Sequence, residues 1–278
     1  MIRIVHPRRL GQALAECLCI LYRRRNLILA LTAREIGEQY AGQVLGIYWA
    51  LLHPLLMAAV YLFMFHFVFK VSVAQSVDAP LDFVAYMMAG LLPWLAMQQG
   101  MVRSCTALTS SASLVKQVVF PTEVLPIKAV LATLPGQIIM FTALVVYVLI
   151  QFGIPPATYL LLPLLLTAQL LLMQGISFAF SAINVMLRDL KDLVQVYALI
   201  GIYTMPIFYL PEWVPAAVRP VIYANPFTYL ILCYQDALFY GRIAHPWAWV
   251  IFLAGSLLVF ATGYRVFRRL RPWVGNML

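Results

Sequence analysis

Residues 211–245 read PEWVPAAVRPVIYANPFTYLILCYQDALFYGRIAH, and the path of this segment decides how the rest of the chain is arranged. Its central part, residues 221–240, is apolar and has about the 20 residues that a membrane-crossing helix needs. Pro226 and Asp236 interrupt it, because a proline breaks a helix and a carboxylate in hydrocarbon is costly. We therefore expect a re-entrant helix pair, two short helices that dip into the outer leaflet of a membrane and return without crossing it.

The basic residues favour the same path. If residues 211–245 do not cross, six other apolar stretches do, and both ends of the chain lie on one side of the membrane. Of the 19 lysines and arginines, 16 then lie on that side, and Lys70, Arg219 and Arg242 lie on the other. Basic loops stay in the cytoplasm, so that side is cytoplasmic. If the segment crossed, the basic stretch 265–271 would lie outside, against this rule.

The composition argues against a soluble protein. Hydrophobic residues make up 64% of the 278 residues and charged residues only 10%, whereas a soluble domain carries about 25% charged residues. The net charge of +9 lies beside apolar spans, where it meets anionic lipid head groups, so nucleic-acid binding is not expected. The four cysteines show neither a CxxC pair nor the spacing of metal ligands.

We predict an all-α polytopic membrane protein, one transmembrane domain over residues 1–278. The six spans are predicted at residues 44–69, 83–102, 127–152, 159–186, 193–210 and 246–264. Residues 103–126 are predicted to form an inner loop with a short amphipathic helix. In the fourth span Gly175 and Ala179 have the small-xxx-small spacing that lets helices approach closely.

Residues 1–43 are predicted to stay on the cytoplasmic side. Glu16 interrupts the apolar stretch 10–31, which also contains Arg23, Arg24 and Arg25. Each charge at the bilayer centre costs about 2.5–3.5 kcal/mol, so this stretch does not cross. Apolar residues beside a basic cluster favour an amphipathic helix that lies in the head-group plane. A flexible basic tail is the alternative.

Some chemistries have no sequence signal. A GxxxxGK[ST] loop for nucleotide phosphates is absent. No carboxylate pair lies near the centre of a span, which disfavours ion-coupled transport. His53 and His66 of the first span are interpreted as core histidines, with a ligand or proton relay as the alternative. Aromatic residues are expected mainly in belts and packing. Some could instead line a passage and stack on sugar rings, and the candidates are Tyr61, Phe65, Tyr203, Phe208 and Tyr209.

Five stretches occur in this order: REIGEQYAGQVLGIYWALLHPLLMAAVYLFMF (34–65), GLLPWLAMQQG (90–100), LVKQVVFPTEVLPIKAVL (114–131), NVMLRDLKDL (184–193) and MPIFYLPEWVP…NPFTYLI (205–231). Together they resemble the membrane subunits of type-2 ABC exporters, which move lipid-linked polysaccharide such as O-antigen, capsule or teichoic acid across the cytoplasmic membrane. The resemblance implies a multi-pass inner-membrane permease that works as a homodimer with two separate ATP-binding subunits. It implies ATP and Mg²⁺ on those partners, no cofactor and no enzymatic activity on this chain, and a lipid-linked glycan as substrate. Periplasmic or outer-membrane export partners stay open.

The resemblance also implies roles for particular residues. The loop 103–126 would dock on the ATPase as a coupling helix, and the turn 188–192 would be a second contact. The coupling residues are then Leu114, Lys116, Phe120, Glu123, Arg188 and Asp189. The N-terminal helix would shape a lateral entrance at the inner leaflet, and its interface residues are Arg23, Arg24, Arg25 and Arg34. The first and fifth spans would line the conduit, with the re-entrant pair near its exit.

Two other functions stay open. An exporter of a small drug or lipid would have the same fold. An intramembrane enzyme acting on lipid-linked substrates would need an acid, base or metal constellation, and the sequence offers none.

Overall fold

The computed structural model describes residues 16–17, 19–39, 41–64, 81–117 and 120–277. These residues form helices, turns and loops, and no β-strand occurs among them, in agreement with the predicted all-α class. Three helical stretches in these ranges are long and apolar enough to cross a membrane, namely Val124–Phe152, Ala157–Met186 and Pro246–Val274. The outer part of the predicted first span, residues 65–69, lies outside the described residues.

The described α-helices are α1 (Arg25–Gln39), α2 (Trp49–Leu62), α3 (Phe83–Thr106), α4 (Ala112–Gln117), α5 (Val124–Leu131), α6 (Leu134–Phe152), α7 (Leu162–Met186), α8 (Leu190–Thr204), α9 (Arg219–Ala224), α10 (Pro226–Gln235) and α11 (Pro246–Met277). Helix α4 confirms the short helix predicted in the loop 103–126. Helix α3 begins where predicted, because the Asp82 carboxylate accepts a hydrogen bond from Ala85 N at 3.0 Å and caps it.

Two helix ends differ most from their predicted positions. Helix α8 ends at Thr204, before residue 210, because Met205 is extended (ψ 155°) ahead of Pro206. A residue before proline avoids the helical region. Helix α11 continues past residue 264 to Met277 and carries the basic residues 265–271 with it. Since arginine is a good helix former, the charges do not end the helix.

Helices α7 and α11 touch backbone to backbone. A Cβ atom on Gly263 would lie 1.9 Å from the carbonyl oxygen of Gly175, so only glycine leaves room there. This confirms the close approach predicted at Gly175, but its partner Gly263 was not predicted. The ring of Phe178 packs on Phe260 and Phe267 of α11. Gly175 of α7 contacts Gly263, and Phe178, one turn later, reaches Phe267, one turn after Gly263. Later residues of α7 thus contact later residues of α11, so the two helices run parallel.

Hydrogen bonds place several helix ends together at one end of the bundle, called here the Asp82 end. Tyr147 of α6 donates to the Asp82 carboxylate at 2.6 Å. Tyr86 of α3 donates to the carbonyl oxygens of Pro206 and Tyr209, just beyond α8. Tyr159, before α7, donates to the Leu238 carbonyl at 3.0 Å. The starts of α3 and α7 and the ends of α6 and α8 therefore lie at this end.

The other end of the bundle holds residues 16–17, 19–39, 103–117, 120–128, 186–192 and 264–277, and is called here the basic end. Its N-terminal and C-terminal parts touch, because Tyr264 donates to the Glu16 carboxylate at 3.1 Å. Among the described residues, lysines and arginines lie at this end except for Arg219 and Arg242. The described lysines and arginines are thus concentrated at one end of the bundle.

The segment 211–245 enters and leaves at the Asp82 end. Trp213 stacks on Phe83 at 6.3 Å between ring centroids, and Leu238 accepts from Tyr159. Between them, α9 and α10 are joined at Asn225, whose side chain caps α10 through Phe227 N at 3.1 Å. The same side chain also donates to Thr204 of α8 at 3.1 Å.

Candidate functional site

Glu123 lies buried at the start of α5 and is held by the end of α11. Arg271 donates to its carboxylate. One turn further on, Lys128 forms a second, partly buried ion pair with Glu35 of α1 at 2.7 Å, and donates to Ser111 at 3.4 Å. The loop 103–126 is therefore tied to both the N-terminal and the C-terminal helix.

The other predicted coupling residues of this loop surround that anchor. Leu114 on α4 is exposed, although it is apolar. Phe120 is half-buried and packs on the cluster formed by the basic ends of α7 and α11. Lys116 belongs to α4, and its side chain lies outside the described part of the structure. The loop therefore offers one exposed apolar side chain beside a well-anchored turn.

Arg188 and Asp189 form the exposed turn between α7 and α8. The Asp189 carbonyl accepts from Leu193 N at 3.1 Å and begins α8. Asp192 adds a second carboxylate to the first turn, where a negative charge is stabilised by the helix dipole. This turn lies at the basic end, so the two predicted coupling segments share one end of the molecule.

The predicted entrance arginines lie on α1 or just before it. Arg23, Arg24 and Arg25 are exposed, and Arg25 lies 5.5 Å over the ring of Tyr22. Arg34 pairs with Glu38 at 2.6 Å, and both side chains are exposed. Such an exposed pair one helical turn apart contributes little to stability. All four arginine side chains are thus exposed.

The structure brings together three of the five predicted conduit residues. The ring centroids of Tyr203 and Phe208 lie 6.2 Å apart. The Tyr209 hydroxyl donates to the Tyr203 carbonyl at 3.3 Å, and Tyr203 is 67% exposed. Tyr61 belongs to α2, but its side chain is not described, and Phe65 lies outside the described residues.

Sequence reasoning missed a buried anchor at the Asp82 end. The Asp236 carboxylate has no exposed surface and accepts from the backbone and ring of His245 at 2.9 and 2.8 Å. Trp249 of α11 donates to it at 3.0 Å. A lone carboxylate in an apolar stretch was the available signal, but nothing local indicated its partners. Within the described ranges, no group of three His, Cys, Asp or Glu side chains could hold a metal ion.

Comparison with known proteins gives the chain its family. The model of the ABC-2 type transporter family matches residues 26–239, from α1 into the segment 211–245. Two O-antigen export system permease proteins RfbA of Klebsiella pneumoniae are 26% and 25% identical over 249 residues, or 88% of this chain and 92% of each relative. A protein of the same name from Myxococcus xanthus is 28% identical over 222 residues, or 79% of this chain and 82% of the relative. Because the family match covers well over half of its residues, this chain belongs to the ABC-2 type transporter family.

Proposed function

We propose that this chain is the membrane-spanning permease subunit of an ATP-driven exporter that moves lipid-linked polysaccharide of the O-antigen type across the cytoplasmic membrane. The observation that carries the proposal is that relatives covering 79–88% of the chain are named O-antigen export system permease proteins. In this proposal two copies of the chain assemble with two separate ATP-binding subunits, which hold ATP and Mg²⁺.

The proposed topology has six spans in one transmembrane domain, with both termini in the cytoplasm. The separation of basic residues into one end of the bundle supports it, because basic segments stay cytoplasmic. The contact between Tyr264 and Glu16 also supports it, since it keeps the two terminal helices on one side. The entry and exit of residues 211–245 at the Asp82 end support a re-entrant pair. Such non-crossing backbone needs protein around it, and α10 is almost completely buried.

Coupling to ATP hydrolysis is proposed at the basic end. Leu114 and the turn Arg188–Asp189 are exposed there and available to an ATP-binding partner. Glu123 is buried, so its role is to brace the loop against α11 through Arg271. Force applied to the exposed loop would then reach the membrane helices through this ion pair.

The conduit is proposed along α8 and the segment that follows it. Tyr203, Phe208 and Tyr209 form an aromatic group that is open on one side. Aromatic faces pack on the apolar faces of sugar rings and do not demand one particular sugar. A second copy of the chain would supply the opposite wall.

Deletion of the gene in its host tests the function. We expect polymer synthesis to continue while the polymer accumulates inside the cell. Complementation with the wild-type chain should restore surface polymer. Loss of polymer synthesis itself would contradict the proposal and favour an intramembrane enzyme.

Labelling in whole cells tests the topology. Single cysteines replace Trp273 on α11 and Ile243 in the outer segment, both exposed positions, in a chain whose native cysteines are replaced. A membrane-impermeant maleimide should label the cysteine at position 243 in intact cells and the one at 273 only after permeabilisation. Labelling of position 273 from outside would overturn the arrangement.

A charge exchange tests the coupling role of Glu123. The variant Glu123→Lys places two positive charges together and should lower the ATPase activity of the complex. The double variant Glu123→Lys/Arg271→Glu should recover most of it, because the pair is rebuilt with reversed signs. Full activity in the single variant would refute the brace.

A further inference from the structure

A cavity of about 950 Å³ lies among α1, α2, α3 and α6. Its polar lining is found toward the basic end and consists of Gln39, Gln43, Gln99, Arg103 and Gln137. Further along α3 and α6 the lining becomes apolar, with Leu92 and Met140. The cavity thus has one polar and one apolar part, which is the pattern of a lipid with a polar head group.

Arg103 brings an uncompensated charge to the polar part. Its guanidinium donates to the amide oxygen of Gln39. Within the part of the chain that the structure describes, no carboxylate forms an ion pair with it. Lys128 of α5, by contrast, forms an ion pair with Glu35. The arginine fork matches phosphate oxygens in two-point contacts.

Gln137 adds a hydrogen-bond acceptor. Gln169 donates from its amide nitrogen to the Pro93 carbonyl at 3.1 Å, and a carbonyl can only accept. The Gln169 oxygen is therefore left to accept from Gln137 at 2.8 Å and from Tyr234 at 2.6 Å. This bonding assigns the Gln137 amide nitrogen as the donor. Its oxygen Oε1 is buried and has no partner among the described residues.

A second cavity continues the apolar part. It measures about 150 Å³ and shares Leu92 and Met140 with the first. It reaches Val84, near the start of α3. At 1.5 Å per residue, α3 rises about 28 Å between Arg103 and Val84. The two cavities together are longer than one membrane leaflet, about half of a 30 Å hydrocarbon core.

We propose that this pair of cavities binds one lipid whose phosphate is held by Arg103 and whose chain lies along Leu92 and Met140. The ligand class is a phosphate ester with a lipid chain. A lipid-linked glycan and an anionic phospholipid both have this chemistry. The identification of the bound lipid as a lipid-linked glycan rests on the proposed function, whereas its identification as an anionic phospholipid does not.

Lipid binding to the purified full-length complex tests the proposal. Native mass spectrometry measures binding of phosphatidylglycerol and of a polyprenyl diphosphate carrying one sugar, with phosphatidylcholine as the zwitterionic reference. Arg103→Gln should weaken binding of the anionic lipids at least tenfold, and Arg103→Lys should keep it within a few fold. Arg242→Gln, an exposed arginine at the Asp82 end, is the matched control and should leave binding unchanged.

The outcomes separate the two sources. A loss for the sugar lipid alone identifies the cavity as a substrate site, and a loss for both lipids identifies a general phospholipid site. Either result supports the proposal. Equal binding by the wild type and Arg103→Gln, or an equal loss in Arg242→Gln, overturns it. Because transport is not measured, failure of the export function would leave the phosphatidylglycerol result standing.

Discussion

Replacing Gly263 by alanine should separate α7 from α11. The added Cβ would lie 1.9 Å from the Gly175 carbonyl oxygen, whereas ordinary contacts begin at 3.4 Å. Both sides of this contact are backbone, so the helices must move apart by about 1.5 Å. A gap of about 0.5–1 Å already loses a quarter to a half of the dispersion energy of a contact. The packing of Phe178 against the rings of α11 would therefore weaken as well.

The size of the effect follows from two opposing contributions. Overpacking a dense interface costs about 1–3 kcal/mol, and occasionally more. Replacing a helical glycine by alanine returns about 0.5–1 kcal/mol through propensity. We expect a net loss of about 1–2 kcal/mol. For a chain of this size, each kcal/mol lowers the melting temperature by about 2–4 °C.

The assay is thermal stability of the purified chain in detergent, read from the monodisperse fraction that survives heating on size-exclusion chromatography. Gly255 is the matched control, because it lies two turns earlier on α11 and a Cβ there meets nothing within 4 Å. Gly255→Ala should leave the melting temperature unchanged or raise it. If Gly263→Ala melted at the same temperature as Gly255→Ala, the backbone contact between α7 and α11 would be refuted.

Two further predictions concern single side chains. In single-cysteine variants at pH 8, a maleimide should label the exposed Cys19 and leave Cys17 unreacted. Burial raises the pKa of the Cys17 thiol to about 11, so only about one molecule in a thousand carries the reactive thiolate. Comparable labelling rates at the two positions would contradict the burial of Cys17. Asp236→Asn should lower stability by about 1.5–3 kcal/mol, because a charge-assisted hydrogen bond to His245 or Trp249 is lost, and the exposed Asp192→Asn should change the melting temperature by less than a degree or two.

Short sequence patterns were sufficient to predict helices whose position is set by neighbouring residues. The start of α3 could be predicted because Asp82 caps it from the adjacent residue. Helix α4 could be predicted from a short amphipathic run in the inner loop. The end of α8 was placed too late, because the extended conformation of Met205 before Pro206 was not weighed against the apolar residues beyond it.

Contacts between distant residues could not be predicted. Glu123 and Arg271 are 148 positions apart, and each alone looks like an ordinary charge of an inner loop or tail. Arg188 and Asp189 are exposed, whereas Glu123 is buried and paired with Arg271. The difference arises because a charge pattern does not indicate which charges meet inside the fold.

The sequence by itself determined that the chain is helical, that it is too apolar for a soluble domain, and which family it resembles, because composition and motif order are properties of the chain. Only the tertiary structure decided that Gly175 meets Gly263 and that Asp236 is held by His245 and Trp249. It alone joined Arg103 and Gln137 in one cavity. These contacts depend on how the helices are arranged against each other, and helix arrangement follows from the summed packing of many residues, which no short stretch of sequence contains.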